Sequence, residues 1–333
     1  MRFNHVTLAL AVAASFGACG PAKGSHDTEG RVSYPTQQTM SATIGEDSAK
    51  ARASHAMKTV WIIVMENHDW DSIKGSPSAP YINGTLLPMG AHAEHYASPY
   101  DIHPSEPNYI WLEAADDLQI RDNDDPAWNY RTTKNHLTRH LETAGVSWKS
   151  YQESITPGLC PIASSGRYGA KHNPMVFFDD VTDGRDPYSP HCLAHVRPYE
   201  ELAGNLATGN VARYNFITPD LCSDMHDSVG CATPDQVGNG DAWLSREVPM
   251  IMASKEYQEG GVIFITWDES EGAEDEPIGL IALSKYAKPG YAGMIKYNHS
   301  SLVRTVQDIF AIRPYMRDAN NVAGLDDLFV AYP

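Results

Sequence analysis

Two stretches of the chain are apolar at nearly every position and then stop abruptly on polar side chains. Val60-Trp61-Ile62-Ile63-Val64-Met65 runs into Glu66-Asn67-His68-Asp69, and Gly261-Val262-Ile263-Phe264-Ile265-Thr266-Trp267 runs into Asp268-Glu269. A strand with one wet face alternates apolar and polar residues, so unbroken runs of this kind predict strands covered on both faces, as in a parallel sheet. Further strands are predicted at 146–151, 212–218 and 278–283. Between them lie helix-period segments at 132–145, 199–207, 241–255 and 298–310. In the first of these Leu137, Leu141 and Ala144 share a face and Gly145 supplies the stop. Another helix is expected after Pro104, with Ser105 at the N-cap, Pro107 in the first turn and helix-favouring residues from Ile110 to Ala115. Strand and helix signals alternate from residue 59 to the end, which predicts an α/β fold with a largely parallel central sheet.

The first 57 residues follow no such pattern. Arg2 precedes an apolar segment, 6–16, too short to span a bilayer, and Gly17-Ala18-Cys19 resembles a bacterial lipoprotein cleavage box. The expected organisation is a signal peptide over 1–18, a flexible tether over 19–57 that is lipid-anchored at Cys19, and one domain over 58–333. The expected location is therefore across the inner membrane: periplasmic, on the outer membrane or extracellular. The 333 residues carry a formal net charge of −17. That argues against a nucleic-acid partner, because phosphate backbones need a cationic footprint. Export also implies an oxidising compartment. With Cys19 used for lipid, Cys160, Cys192, Cys222 and Cys231 allow three disulfide pairings, and proximity favours Cys160–Cys192 and Cys222–Cys231.

Composition and period leave the chemistry to the strand ends. In open α/β sheets ligands bind beyond the carboxyl ends of the strands. If Glu66-Asn67 and Asp268-Glu269 converge there, three carboxylates and an amide form an all-oxygen site suited to one hard divalent cation. Without a cation such carboxylates repel, or some remain protonated. Ser105 at a helix N-terminus is the candidate nucleophile, beside amide N–H groups able to stabilise an anion. His172, His226 and His299 are candidate acids or phosphate contacts. His92, His95 and His103 fit no helical face and are expected to be solvated loop residues.

These residues fall in motifs that, in combination, resemble the bacterial phosphoesterase family of acid phosphatases and phospholipases C, similar to a branch of the alkaline phosphatase superfamily. The motifs are Met65-Glu66-Asn67-His68, Pro104-Ser105-Glu106-Pro107-Asn108-Tyr109, Ile217-Thr218-Pro219-Asp220-Leu221-Cys222-Ser223-Asp224-Met225-His226-Asp227, Gly240-Asp241-Ala242-Trp243-Leu244, Thr266-Trp267-Asp268-Glu269 and Tyr297-Asn298-His299-Ser300-Ser301-Leu302. The resemblance covers about residues 58–313 and implies a three-layer α/β/α sandwich. It implies that Glu66, Asn67, Asp268 and Glu269 hold one divalent metal ion (Ca, Mg, Mn or Zn), and that Ser105 becomes phosphorylated. It implies that His226 meets the phosphate or protonates the leaving group, that His172 in Lys171-His172-Asn173-Pro174 is a further contact, and that His299 takes part. Asp220, Asp224 and Asp241 are expected to orient these groups. The implied substrate is a phosphorylated small molecule or a phospholipid head group. Many relatives carry a histidine soon after the Asp-Glu pair, and 270–283 has none. A catalytically weak or inactive anion-binding surface lipoprotein on the same fold is therefore the alternative. A sulfatase is disfavoured, since Asn108-Tyr109 offers no arginine after the Ser-x-Pro step.

Overall fold

A computed structural model describes residues 56–227, 229–272 and 276–333. The proposed signal peptide, Cys19 and the tether lie almost wholly outside the described residues. Eight strands form one sheet: β1 (Thr59–Met65), β2 (Ala91–Ala97), β3 (Trp148–Gln152), β4 (Val196–Pro198), β5 (Tyr214–Thr218), β6 (Gly261–Trp267), β7 (Leu280–Leu283) and β8 (Tyr291–Asn298). Their order is β4-β3-β5-β1-β6-β7-β2-β8. Every pairing is parallel except those of β7, which runs antiparallel to both β6 and β2. The sheet is thus largely parallel, as the apolar runs predict. β1 and β6 are adjacent, in register from Thr59 opposite Gly261 to Met65 opposite Trp267, and buried at every residue.

The five longest described helices are α1 (Ser105–Ala114), α2 (Leu137–Thr143), α3 (Glu201–Thr208), α4 (Gln236–Met252) and α5 (His299–Ile309). The Asn298 side chain caps α5 reciprocally with Ser301, which fixes where that helix starts. α2 is shorter than its sequence period suggests. Leu137 and Leu141 are buried as expected, but Ala144 is exposed beyond its end.

Three strands carry no readable sequence signal. β8 is mostly exposed at the sheet edge, β4 has three residues, and β2 (Ala91-His92-Ala93-Glu94-His95-Tyr96-Ala97) mixes ionisable side chains into a largely buried strand. Both favoured disulfides form, Cys160–Cys192 with Cα atoms 5.6 Å apart and Cys222–Cys231 with 5.4 Å.

Candidate active site

Because β1 and β6 are parallel, adjacent and equal in length, their polar tails emerge side by side. Asp268 N–H donates to the Met65 carbonyl at 3.0 Å, and Glu66 N–H donates to the Asp224 carbonyl at 2.8 Å. Asn67 then turns with φ 23°, a left-handed conformation that costs a non-glycine residue of order 1–3 kcal/mol. That turn aims its backbone N–H at Asp268 Oδ1, 3.0 Å away, and its side-chain Nδ2 at Glu269 Oε1, also 3.0 Å.

Ser105 is the first residue of α1 rather than its N-cap, a place taken by Pro104. With helical backbone its hydroxyl does not serve as the cap. Ser105 Oγ instead lies 3.1 Å from Glu66 Oε2, 3.3 Å from Glu269 Oε1 and 3.5 Å from Asn67 Oδ1, and the residue is almost wholly buried. One hydroxyl therefore meets three of the four oxygen donors singled out in the sequence, and Asp268 joins them through Asn67. The expected array of helix amides is thinner than pictured. Glu106 N–H donates to Asn123 Oδ1 at 3.0 Å, and Pro107 has no N–H.

Electrostatics mark the cluster as short of positive charge. Burial pushes the Asp268 carboxyl well above the usual range, reinforced by Glu66 and Glu269. Burial likewise raises Glu269, with a contribution from Glu66 partly offset by His103 and Ser105. Glu66 goes the other way. Burial alone would raise it, but the charge and hydrogen bond of His172, aided by Lys171 and His226, hold it at about 2. Asp268 Oδ2 is buried with no hydrogen-bond partner. An orphaned carboxylate oxygen among oxygen donors fits a hard cation, and the donor chemistry is that of calcium, magnesium or manganese more than of a thiolate-seeking metal. The cluster is nevertheless splayed. Among the described residues the only trio of His, Cys, Asp or Glu side chains with ligand atoms all within 4.8 Å of one another lies elsewhere, at Glu142, His191 and His195.

The three candidate histidines separate into different roles. His172 is buried between two carboxylates, with Nε2 3.1 Å from Glu66 Oε1 and Nδ1 3.5 Å from Asp224 Oδ2, and it stacks on Tyr109. Burial disfavours its charged form, but Glu66 and Asp224 outweigh that and raise its pKa. His226 is about one third exposed, and its ring centroid is 6.0 Å from that of His172. Its Nδ1 donates to Asp227 Oδ1 at 2.7 Å, and its backbone N–H is fixed by Asp224 Oδ1 at 2.8 Å.

His299 departs from expectation. It is fully buried, and a carbonyl can only accept, so Nε2–H donates to the Asp268 carbonyl at 2.6 Å and Nδ1 accepts from the Tyr96 hydroxyl at 2.9 Å. Burial lowers its pKa to about 4. With both nitrogens committed and the ring neutral, His299 holds the Asp268 backbone and is not placed to donate a proton to substrate.

Other residues gain or lose a place. His103, taken from spacing as a solvated histidine, lies with Nδ1 2.5 Å from Glu269 Oε2, and Asn108 Nδ2 donates to the same oxygen at 3.3 Å. The imidazole on the acid pair thus comes from the loop before α1 rather than from 270–283. His92 pairs with Glu94 at 2.9 Å. Asp224 does orient the site, through His172 and His226. Asp241 instead accepts from the backbone N–H groups of Tyr81 and Ile82, tying down a segment distant in the chain, and Asp220 accepts from those of Cys222 and Ser223 in its own turn.

A largely parallel sheet with a serine and acidic side chains gathered beyond the carboxyl ends of its strands has its polar cluster where α/β enzymes bind their ligands. Residues 92–313 match the model of the Phosphoesterase family, and the chain belongs to that family. It is 28% identical over 272 residues to a phosphatidylinositol-3-phosphatase of Mycobacterium tuberculosis, covering 81% of this chain and 82% of that one. It is 26% identical to a probable acid phosphatase of Kluyveromyces lactis over 71% of this chain and 56% of that one. It is 23% identical to a non-hemolytic phospholipase C of Burkholderia pseudomallei over 77% of this chain and 37% of that one. Among solved structures, an alkaline phosphatase superfamily protein from Vibrio parahaemolyticus shares the fold, with a TM-score of 0.53 at 9% identity over 83% of this chain and 72% of that one. The protein is a hydrolase acting on phosphoesters.

Proposed function

We propose that the domain is a metal-dependent phosphomonoesterase that works through a phosphoserine at Ser105. The observation that carries this is the Ser105 hydroxyl lying within 3.1–3.5 Å of Glu66, Glu269 and Asn67 at once. Nothing in capping or packing requires a buried serine hydroxyl to face two carboxylates. Glu66, Asn67, Asp268 and Glu269 would hold one divalent ion, whose chemistry is to neutralise charge on the phosphoryl oxygens and favour the serine alkoxide. Ser105 Oγ, its proton released to solvent, then attacks phosphorus, the ester oxygen leaves, and a protonated His226 Nε2 gives it a proton. His172 keeps Glu66 ionised, while His299 and Asn67 set the position of Asp268. In the second half of the cycle water gives a proton to the neutral His226 Nε2 as it displaces the serine oxygen from phosphorus, the serine oxygen regains a proton from solvent, and inorganic phosphate leaves.

The phosphatidylinositol-3-phosphatase relative favours a monoester, carried either on a small molecule or on a lipid head group. We further place the protein outside the inner membrane, anchored through Cys19. The two disulfides support that reading.

Hydrolysis of p-nitrophenyl phosphate should disappear with chelator and with Ser105→Ala. Acid-quenched wild type should carry a phosphate adduct on the peptide containing Ser105. Activity that survives both treatments would sink the mechanism.

A further inference from the structure

Glu142, His191 and His195 lie at the opposite end of the sheet from Ser105. The backbone of Trp148, to which His195 is bonded, pairs in register with Tyr214, and Tyr214 with Val60. Val60 is six residues before Glu66, roughly 20 Å along an extended strand. His191 and His195 are spaced i,i+4 on the short helix Pro190–His195, so their side chains project from one face. Glu142 comes from α2 and meets them there.

The hydrogen bonds fix the tautomers. His191 Nδ1–H donates to the Asp180 carbonyl and His195 Nδ1–H to the Trp148 carbonyl, each at 2.9 Å. Carbonyls can only accept, so in each neutral ring Nε2 carries a lone pair, and both Nε2 atoms face one carboxylate oxygen. Glu142 Oε1 is 2.6 Å from His191 Nε2 and 3.8 Å from His195 Nε2, with the side chains 21–29% exposed and open to solvent. Trp148 Nε1–H also donates to Glu142 Oε1, at 2.9 Å, and holds it in place. Three lone-pair donors converging on one point are repulsive unless a cation or a proton sits among them. Backbone carbonyls on the outer ring nitrogens are the arrangement that orients histidine ligands toward a metal.

We propose that Glu142, His191 and His195 form a second metal site, for a borderline divalent cation of the zinc type. Two imidazoles and a carboxylate are a zinc-type donor set, with bonds of about 2 Å and a water completing the tetrahedron. This site differs in chemistry from the all-oxygen cluster at Ser105 and does not depend on it. Cys192, on the same helix, is bonded to Cys160. The ion would therefore clip α2 to a segment already tethered by a disulfide and form a structural tie beside the β3–β4 edge.

The test is metal stoichiometry on the intact protein. Chelator-stripped wild type and a His191→Ala/His195→Ala double variant are each titrated with zinc alone and counted by elemental analysis after gel filtration. Wild type should bind one more zinc per chain than the variant, and the variant should show no saturable binding in the range of the lost site. Affinity at that site should fall by more than the roughly 10–100-fold that losing a mere outer-shell partner costs. Cobalt loading should give visible absorption in wild type that the variant lacks, and zinc should raise the Tm of wild type more than that of the variant. Glu142→Gln, which keeps the acceptor for Trp148, is the second variant should the double one misfold, and it should lose the same zinc. Equal zinc stoichiometry in wild type and variants would overturn the proposal and leave a proton between His191 and Glu142 as the explanation of the cluster.

Discussion

Replacing His226 with alanine separates proton donation from phosphate binding. The ring is held by Asp227 at Nδ1, which leaves Nε2 without a protein partner among the described residues, and the side chain is about one third exposed beside His172. A positioned acid of this kind contributes roughly 10²–10⁴-fold, about 2.7–5.5 kcal/mol of transition-state stabilisation. That contribution is needed only when the leaving oxygen is basic. For an alkyl phosphate, kcat/KM of His226→Ala should fall by about 10²–10⁴-fold. For p-nitrophenyl phosphate, whose phenolate departs without a proton, the loss should stay under about tenfold. Asp227→Asn, which weakens the hold on Nδ1, should give a smaller loss with the same preference for the alkyl ester. The assay is steady-state release of inorganic phosphate from both esters at one pH, with chelator-free metal held constant. Equal losses on both esters, expressed in KM rather than kcat, would refute the assignment and make His226 a phosphate contact.

Three further outcomes follow from the same geometry. Asp268→Asn keeps the Oδ1 acceptor for Asn67 N–H but removes a charge that burial, Glu66 and Glu269 all disfavour; in chelator its Tm should rise by the equivalent of about 0.5–2 kcal/mol while hydrolysis is lost, and a lower Tm would contradict the repulsion. His136 is buried between Glu113 Oε1 at 2.8 Å and Asp180 Oδ1 at 3.0 Å. Burial opposes its charge, but the hydrogen bonds to Asp180 and Glu113 prevail and raise its pKa above the ordinary 6.5. Its stabilisation is therefore complete below about pH 6.5 and lost as pH rises through the raised value. His136→Ala should cost about 3–5 kcal/mol at pH 6 and less in alkali, read by denaturant unfolding; a cost independent of pH would contradict the charge. Closing 32 residues rather than 9, the Cys160–Cys192 disulfide should contribute about 4 kcal/mol against about 2.5 for Cys222–Cys231. Paired serine variants compared by urea unfolding check that order.

What was legible in the sequence follows from which positions a local pattern determines. β1 and β6 are covered on both faces, so their residues are apolar throughout and their polar tails stand out; the topology of a parallel sheet then brings Glu66 and Asp268 together. β2 and β8 obey no such pattern, because Glu94 pairs with Lys74 and His92 while β8 lies at an edge where exposed side chains are unconstrained. The site shows the same division. Ser105 stands at a readable helix start, yet N-cap and first helical residue differ only in one backbone rotation, and that rotation decides whether the hydroxyl serves the helix or faces Glu66. His299 stands in a specific motif and touches an acidic residue of the site, but through the Asp268 carbonyl, and a motif records adjacency without direction. His103 carries no local signal for the converse reason: its partner, Glu269, is 166 residues away. The i,i+4 pair His191 and His195 was visible in the chain but lay in a stretch with no helical period, and its third member, Glu142, belongs to another helix. Chemistry carried by strand ends can thus be read from one segment at a time, whereas chemistry assembled across segments depends on sheet register and on which nitrogen of each histidine the backbone leaves free.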